Sequence, residues 1–216
     1  MNATVLVVDD DAAVREALES FLRSVDLDVR SYGSAQSFIE AELPDGPMCL
    51  VLDVRMPDKS GLELQSELIR EGVDLPIIFI TGHGDIPMSV SAMKAGAVEF
   101  LPKPFRNEDL LAAIRTALEK DRVRREYERA DRNLHERYAS LSPREREIMV
   151  LVSVGLLNKQ IANEVRLAEI TVKVHRGHMM RKMAARSVAD LVRMADRLGL
   201  APEAPRGPEA SPDGAA

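Results

Sequence analysis

The stretch Thr4-Val5-Leu6-Val7-Val8-Asp9-Asp10-Asp11 decides the fold of the first half of this chain. Its first five residues are apolar or β-branched, which is typical of a short strand buried on both faces of a sheet. Three aspartates follow at once, so the predicted strand ends on clustered carboxylates. A strand of this kind needs helices above and below it, and the next hundred residues supply them.

Short apolar runs and helix-period segments alternate through residue 105. We predict strands at 4–8, 29–32, 48–52, 75–80 and 98–101, separated by helices at 12–24, 34–41, 61–70 and 88–95. Asn107 is predicted to cap a fifth, longer helix. Five alternations of strand and helix indicate an α/β domain whose parallel sheet is covered on both faces.

Polar residues follow four of these strands. The first strand ends in the three aspartates, the third in Asp53, the fourth in Thr81, and Lys103 follows the fifth. Because the carboxyl ends of parallel strands share one edge of a sheet, these groups are expected to converge there. Any one of them alone is more often a turn or cap residue, so the prediction depends on all four together.

Clustered carboxylates repel one another and require a cation. An oxygen-only ligand set favours Mg²⁺ over zinc. A carboxylate beside Mg²⁺ can attack a phosphoryl group and form an acyl phosphate. The metal and Lys103 would neutralise charge on the transferring oxygens, and Thr81 would hydrogen-bond one of them.

The residues at these strand ends resemble a response-regulator receiver domain. The matching stretches are Val7-Val8-Asp9-Asp10, Leu52-Asp53-Val54-Arg55-Met56-Pro57, Ile80-Thr81-Gly82-His83-Gly84 and Phe100-Leu101-Pro102-Lys103-Pro104-Phe105. The resemblance covers residues 1–122 and implies a flavodoxin-like, doubly wound sheet of strand order 2-1-3-4-5. It also implies that a sensor histidine kinase phosphorylates Asp53.

The same resemblance implies a Mg²⁺ site. Asp10, Asp53 and the backbone carbonyl of Arg55 would hold the ion, with Asp9 assisting through a water molecule. An alternative is a Mg²⁺-dependent phosphatase with Asp53 as nucleophile. That enzyme would need a second acid/base carboxylate two residues after Asp53, where Arg55 stands.

The resemblance further implies a switch around the phosphoryl group. Lys103 and Thr81 would contact that group, and the ring of Phe100 would turn inward as Thr81 moves. The Lys103-Pro104 peptide bond is expected to be cis, a state that only an X–Pro bond adopts at low cost.

Charge is unevenly distributed along the 216 residues. The net charge of −6 divides into −10 over residues 1–105, +1 over 106–138, +5 over 139–200 and −2 over 201–216. An acidic half and a basic third favour two domains with different partners, and the basic one hints at nucleic acid. Taken alone, the basic excess is as well explained by chance.

Composition excludes several classes of protein. At 45% hydrophobic residues the chain is not wholly disordered, and its single cysteine excludes an intrachain disulfide. No apolar run approaches the length of a membrane span, and the first residues do not form a signal peptide. We therefore expect a cytoplasmic protein without membrane contact.

Residues 107–138 contain neither Gly nor Pro and are predicted to form one helix. Its first part, with Leu110 and Ile114, should pack on the receiver sheet. A thinner apolar seam continues through Val123, Tyr127, Ala130, Leu134 and Tyr138. Residues 123–138 would form a linker that pairs between subunits or holds two domains apart, or else a solvated spacer.

The basic segment begins with a strong helix start. Ser142 is predicted as N-cap, Pro143 as the first helical residue and Glu145 as its capping-box partner. Asn158 is predicted to cap a helix at 159–165, and a turn at 166–168 leads to helices at 169–183 and 188–198. Two helices joined by a tight turn suit a helix-turn-helix, with an ordinary four-helix bundle as the alternative.

Residues 139–198 resemble the LuxR-type output domain of the NarL/FixJ class. The matching stretches are Leu141-Ser142-Pro143-Arg144-Glu145, Asn158-Lys159-Gln160-Ile161-Ala162, Thr171-Val172-Lys173-Val174-His175-Arg176 and Met180-Arg181-Lys182-Met183. The resemblance implies that the helix at 169–183 enters the major groove, with Lys173 and Val174 facing the bases and Gly177 one turn on. The candidates for phosphate contact are Lys159, Thr171, Arg176, Arg181 and Lys182.

Three positions depart from the family pattern. Arg166 replaces a turn glycine, so a left-handed conformation there costs more. Ala168 replaces an N-cap serine, which removes about 1 kcal/mol of helix stabilisation. Gly177 stands where many relatives carry a longer side chain.

These observations predict four segments: a receiver domain (1–122), a helical linker (123–138), a LuxR-type DNA-binding domain (139–200) and a disordered tail (201–216). We expect a two-component transcriptional regulator, not an enzyme, that a sensor histidine kinase phosphorylates. Phosphorylation would favour a homodimer on double-stranded promoter DNA. The remaining alternative is a DNA-binding or adaptor protein that works without phosphorylation.

Overall fold

The computed structural model describes residues 3–82 and 86–200, without the side chain of Ile86. The predicted disordered tail and the loop residues His83 and Gly84 therefore lie outside the described part of the chain. The polypeptide divides into two compact units, Met1–Tyr127 and Glu128–Ala216, and each is considered by itself.

The first unit alternates strands and helices along the chain. Its elements are β1 (Thr4–Val8), α1 (Ala12–Ser24), β2 (Asp28–Tyr32), α2 (Ala35–Ile39), β3 (Met48–Asp53), α3 (Gly61–Arg70), β4 (Ile77–Thr81), α4 (Ile86–Lys94), β5 (Glu99–Pro102) and α5 (Asn107–Ala139). The strands form one parallel sheet in the order β2-β1-β3-β4-β5. The predicted doubly wound fold and its strand order are confirmed.

The sheet separates two apolar cores. In β1, the side chains of Leu6 and Val8 enter one core, whereas Val5 and Val7 enter the other. All four are fully buried, which explains why this strand is a continuous apolar run and does not alternate with polar residues. Helices cover both faces, so polar groups of the central strands reach solvent only at the strand ends.

Several predicted boundaries were wrong by one or two residues. The strand β4 starts at Ile77 and not at residue 75, because Pro76 has no backbone N–H to donate to a sheet. Asn107 is the first residue of α5 and not its cap. The N–H groups of Asp109 and Leu110 donate to the carbonyl of Arg106, the residue just before the helix.

The second unit is helical. It contains the end of α5, then α6 (Pro143–Ser153), α7 (Asn158–Glu164), α8 (Glu169–Met183) and α9 (Val188–Arg197). The predicted capping box is present, since Glu145 N donates to Ser142 Oγ and Ser142 N donates to the Glu145 carboxylate. The core between these helices includes Ile148, Met179 and Leu191, which are fully buried. The predicted all-α domain is confirmed.

The start of α7 differs from the prediction. Asn158 is the first helical residue, and Leu157 occupies the N-cap position without a side-chain cap. The Asn158 side chain instead accepts a hydrogen bond from Arg176 Nη1 at 2.8 Å, so it links α7 to α8.

The turn between α7 and α8 shows the two departures foreseen from the sequence. Arg166 has a left-handed backbone with φ of 53°. Ala168 is the N-cap of α8 and provides no side-chain hydrogen bond. The turn closes through backbone bonds alone, including Leu167 N to Ala162 O at 3.0 Å.

The helix α5 runs without a break through the predicted linker. Its first part buries Leu110 and Ile114 against the sheet, as predicted. Two residues of the apolar seam beyond residue 122 belong to the second unit: Leu134 is buried in its core and Tyr138 packs against that core. Among the larger side chains of the seam, only Val123 and Tyr127 are exposed, at 36% and 71%. Pairing of this helix between subunits stays a prediction.

Candidate metal centre and candidate nucleic-acid interface

Three carboxylates meet at the carboxyl edge of the sheet. Asp9 and Asp10 follow β1, and Asp53 is the last residue of the neighbouring β3. One oxygen from each lies within 4.8 Å of the others. Asp9 and Asp53 are buried and Asp10 is exposed, so the cluster opens to solvent on one side. An oxygen-only, anionic and partly open donor set suits Mg²⁺, which keeps several of its waters when bound.

Lys103 is the cation of this cluster. Its Nζ lies 2.7 Å from Asp9 Oδ2 and 3.2 Å from Asp53 Oδ1. Burial disfavours the charged ammonium, but the hydrogen bond to Asp9 and the two carboxylate charges outweigh it and raise the pKa of Lys103. The Lys103-Pro104 peptide bond is cis, as predicted. The backbone N–H of Lys103 donates to Thr81 O at 2.7 Å, which fixes this loop to the end of β4.

Asp53 lies deeper in the sheet than Asp10. Burial raises the pKa of its carboxyl group, and the charge of Asp9 adds to this, while Lys103 and the backbone N–H of Arg55 act in the opposite direction. That N–H donates to Asp53 Oδ2 at 3.2 Å. The start of α3 approaches the same residue closely, because a Cβ at Gly61 would lie 2.3 Å from Asp53 O. Only glycine fits at position 61. The strand β3 and the start of α3 therefore together fix the position of Asp53.

The predicted switch residues lie on the two strands that follow β3 in the sheet. Thr81 is fully buried at the end of β4. Phe100 in β5 is half-buried, and its ring centroid lies 6.2 Å from that of Phe79 at an interplanar angle of 44°. Movement of either residue on phosphorylation stays a prediction.

Arg15 is a residue of the cluster that the sequence reasoning missed. Its Nη1 donates to the backbone carbonyls of Asp9 at 2.8 Å and Asp10 at 3.0 Å. The guanidinium lies beside Gly33, where a Cβ would come within 3.5 Å of it. The signal available in the sequence was its place on the first turns of α1, four residues after the cap Asp11.

In the second unit, α8 carries most of the predicted DNA contacts. Lys173 and Arg181 are exposed, Val174 is 50% exposed, and Thr171 and Gly177 are partly exposed. A Cβ at Gly177 would meet no atom within 4 Å. Lys159, at the start of α7, is also exposed.

Two of the predicted phosphate contacts already have partners inside this unit. Arg176 donates to the Asn158 side chain. Lys182 Nζ lies 2.6 Å from the buried carboxylate of Glu145. Burial acts against the charge of Glu145, but its bonds to Lys182 and Ser142 prevail and lower the pKa of Glu145. Lys182 therefore contributes to the fold of this unit.

Comparison with known families assigns both units. Residues 5–115 match the response regulator receiver domain, and residues 139–195 match the bacterial regulatory proteins of the luxR family. The chain belongs to the NarL/FixJ class of response regulators. Its members join a receiver domain to a LuxR-type DNA-binding domain, and this response regulator is a transcriptional regulator of the same kind.

Relatives of this response regulator match over nearly the whole chain. Nodulation protein W of Bradyrhizobium diazoefficiens is 55% identical over 92% of this chain and 88% of its own. The response regulator protein TmoT of Ectopseudomonas mendocina is 50% identical over 91% and 90%. The transcriptional regulatory protein FixJ of Azorhizobium caulinodans is 44% identical over 92% and 94%.

Solved structures show the same likeness. The response regulator StyR has a TM-score of 0.85 at 48% identity, over 91% of this chain and all of its own. Full-length FixJ from B. japonicum has a TM-score of 0.55 at 42% identity, over 91% of this chain and 97% of its own.

Among residues 3–82 and 86–200, no helix of this response regulator is long and apolar enough to cross a membrane.

Proposed function

We propose that Asp53 of this response regulator accepts a phosphoryl group from a sensor histidine kinase and that phosphorylation controls promoter binding. The observation that carries this proposal is the position of Lys103, whose Nζ reaches both Asp9 and Asp53 across the carboxylate cluster. A buried carboxylate and a fixed ammonium 3.2 Å apart provide a nucleophile and a counter-charge for a transferring phosphoryl group.

The residues around Asp53 have separate parts in this transfer. The phosphorus–nitrogen bond of a kinase phosphohistidine breaks as a phosphorus–oxygen bond to the Asp53 carboxylate forms. Lys103 neutralises charge on the phosphoryl oxygens, and the hydroxyl of Thr81 hydrogen-bonds one of them. Asp10, Asp53 and the carbonyl of Arg55 would hold Mg²⁺, with Asp9 acting through water, and the ion supplies additional positive charge to the phosphoryl oxygens.

The output of the proposed switch is DNA binding by residues 139–200. The receiver would span 1–122 and the linker 123–138. Phosphorylation would change the surface around Thr81 and Phe100 and favour a homodimer that binds paired half-sites. Lys173, Val174 and Gly177 would face the bases, and Lys159, Thr171, Arg176 and Arg181 the phosphates. Lys182 has the weakest claim to a phosphate, because Glu145 already holds its ammonium.

One experiment tests this proposal. DNA binding and oligomeric state are measured for the wild type and Asp53→Asn, with and without acetyl phosphate plus Mg²⁺. We expect acetyl phosphate to raise the affinity and the dimer fraction of the wild type and to leave Asp53→Asn unchanged. Equal responses of the two proteins would contradict the assignment of Asp53. Catalytic turnover of small phosphate esters would instead support a phosphatase.

A further inference from the structure

The start of α8 carries an apolar side chain that the fold does not use. Ile170 is 68% exposed, although it lies in the first turn of a helix whose buried residues are Val172, Met179 and Met183. At about 100° of rotation per residue, these buried residues lie on the opposite side of the helix from Ile170. Packing in the core of this unit therefore does not explain the isoleucine at position 170.

Ile170 has an apolar neighbour on the same face. Val174 follows one turn later and is 50% exposed. Residues four apart on a helix are adjacent on its surface, so the two side chains form one apolar strip. Gly177 continues this face and leaves open space beyond the strip, because a Cβ there would meet no atom within 4 Å.

Basic side chains border the apolar strip. Lys173 and Arg181 are exposed on the same side of α8, and the described residues give neither of them an ion-pair partner. A surface that combines exposed basic side chains with an apolar centre suits an anionic partner that also presents an apolar group. The major groove of DNA is such a partner, because each thymine places its C5-methyl group there between the phosphate backbones.

We propose that Ile170 and Val174 contact thymine C5-methyl groups in the major groove and so make this regulator select thymine at the facing positions of its half-site. This inference rests on the proposed DNA binding. It adds Ile170 to the residues that read bases, and it defines the chemistry that Ile170 and Val174 recognise. A hydrogen-bonding reader would distinguish bases by their donors and acceptors, whereas this strip distinguishes thymine by one methyl group.

Replacement of single thymines by deoxyuridine tests the proposal, since the two bases differ only in that methyl group. The full chain, treated with acetyl phosphate and Mg²⁺, first selects a duplex from a random pool. Each thymine of the selected duplex is then replaced in turn, and the dissociation constant is measured at fixed salt. We expect deoxyuridine to weaken binding about fourfold at one or two positions of each half-site, the effect of about one buried methylene-sized group.

The variants Ile170→Ala and Val174→Ala assign those positions. For Ile170→Ala, replacement of thymine by deoxyuridine should have no effect at one position of the half-site and the normal effect at the others. For Val174→Ala, the effect should disappear at a neighbouring position instead. Val188→Ala, which truncates an exposed apolar residue at the start of α9, is the matched control and should respond like the wild type. The unfolding midpoint of each variant checks that its fold is intact.

Three results would overturn the inference. In the first, no thymine responds to loss of its methyl group although the duplex binds specifically. In the second, Ile170→Ala weakens binding equally at every position, as expected of general damage to the helix. In the third, Ile170→Ala binds DNA normally but loses a contact with a protein partner. If no duplex is selected at all, the proposed DNA binding itself fails, which is a different outcome.

Discussion

Asp121 of α5 accepts a hydrogen bond from the backbone N–H of Met48, the first residue of β3, at 2.8 Å. The Asp121 carboxylate is fully buried and is also held by Arg124 and Arg125, the latter with Nε at 2.6 Å. The strand β3 ends in Asp53 at its other end. One strand therefore connects the proposed phosphorylation site to the point where α5 is attached to the sheet.

The variant Asp121→Ala is expected to destabilise the first unit by about 2–4 kcal/mol, because it leaves the buried N–H of Met48 without its acceptor and removes the buried carboxylate that Arg124 and Arg125 contact. Chemical denaturation of the full chain measures this change. Asp74→Ala is the control: its side chain is 71% exposed and lies 3.7 Å from Arg124. It should cost less than about 0.5 kcal/mol, and equal losses for the two variants would contradict the role of burial.

Asp53→Asn is expected to raise the thermal midpoint of the metal-free protein at neutral pH. The raised pKa of Asp53 means that the folded state favours the uncharged carboxyl group, so ionisation lowers stability as the pH rises through that pKa. The gain from asparagine should disappear below about pH 4, where the carboxyl group is protonated in both the folded and unfolded states. Thermal unfolding in EDTA across this pH range checks the prediction, and a variant less stable than the wild type at pH 7 would contradict it.

Glu145→Gln is expected to destabilise the second unit by about 1–2 kcal/mol at pH 7, because it weakens charge-assisted bonds to Lys182 and Ser142. The lowered pKa of Glu145 sets the pH dependence. Its stabilisation is complete above about pH 4.3 and is lost as the pH falls through the lowered value. Chemical denaturation should show a large difference in unfolding free energy between the wild type and Glu145→Gln at pH 7, and a small one at pH 3. Glu147→Gln, which breaks an exposed pair with Arg144, should change little at either pH.

Arg166→Gly is expected to stabilise the second unit by about 1 kcal/mol, because glycine adopts a left-handed backbone without the Cβ penalty. Arg166→Ala keeps that penalty and should bring no gain, so it separates the backbone effect from loss of the side chain. Ala168→Ser should add about 1 kcal/mol by capping α8. Urea denaturation of the full chain measures all three changes, and a gain with alanine equal to that with glycine would refute the backbone explanation.

Arg15→Met is expected to weaken Mg²⁺ binding about tenfold, since Arg15 holds the backbone of the two aspartates that follow β1. Calorimetric titration of the full chain with Mg²⁺ measures the affinity directly. Arg15→Lys separates position from charge, because it keeps the charge and shortens the reach, and we expect weakened binding there too. If charge alone mattered, methionine would instead tighten cation binding. Arg23→Met, in the exposed last turn of α1, serves as control.

The elements of the first unit were predictable because their signals are local. The buried run at 4–8 and the helix at 12–24 have the predicted bounds, since apolar periodicity and caps lie within each segment. The convergence of Asp9, Asp53 and Lys103 was also predictable, because it follows from the shared edge of a parallel sheet.

The contacts of Asp121 and Lys182 were not predictable in the same way. Asp121 bonds to Met48, 73 residues earlier in the chain, and Lys182 to Glu145, 37 residues earlier. Such pairs depend on how separate helices and strands pack in the folded unit, and no pattern within either segment encodes the contact. The pair Asp121–Arg125, with a separation of four, is a local part of that network, and its spacing is typical of an ion pair on a helix.

The open space around Gly177 bears on how regulators of this kind diversify. Because a side chain at this position would meet no protein atom within 4 Å, many single-codon changes there leave the domain folded. If α8 enters the major groove as proposed, a new side chain at this position would extend toward the bases and change which sequence is recognised. On that proposal, a duplicated copy of this gene could acquire new target promoters by one substitution at position 177 without loss of fold stability.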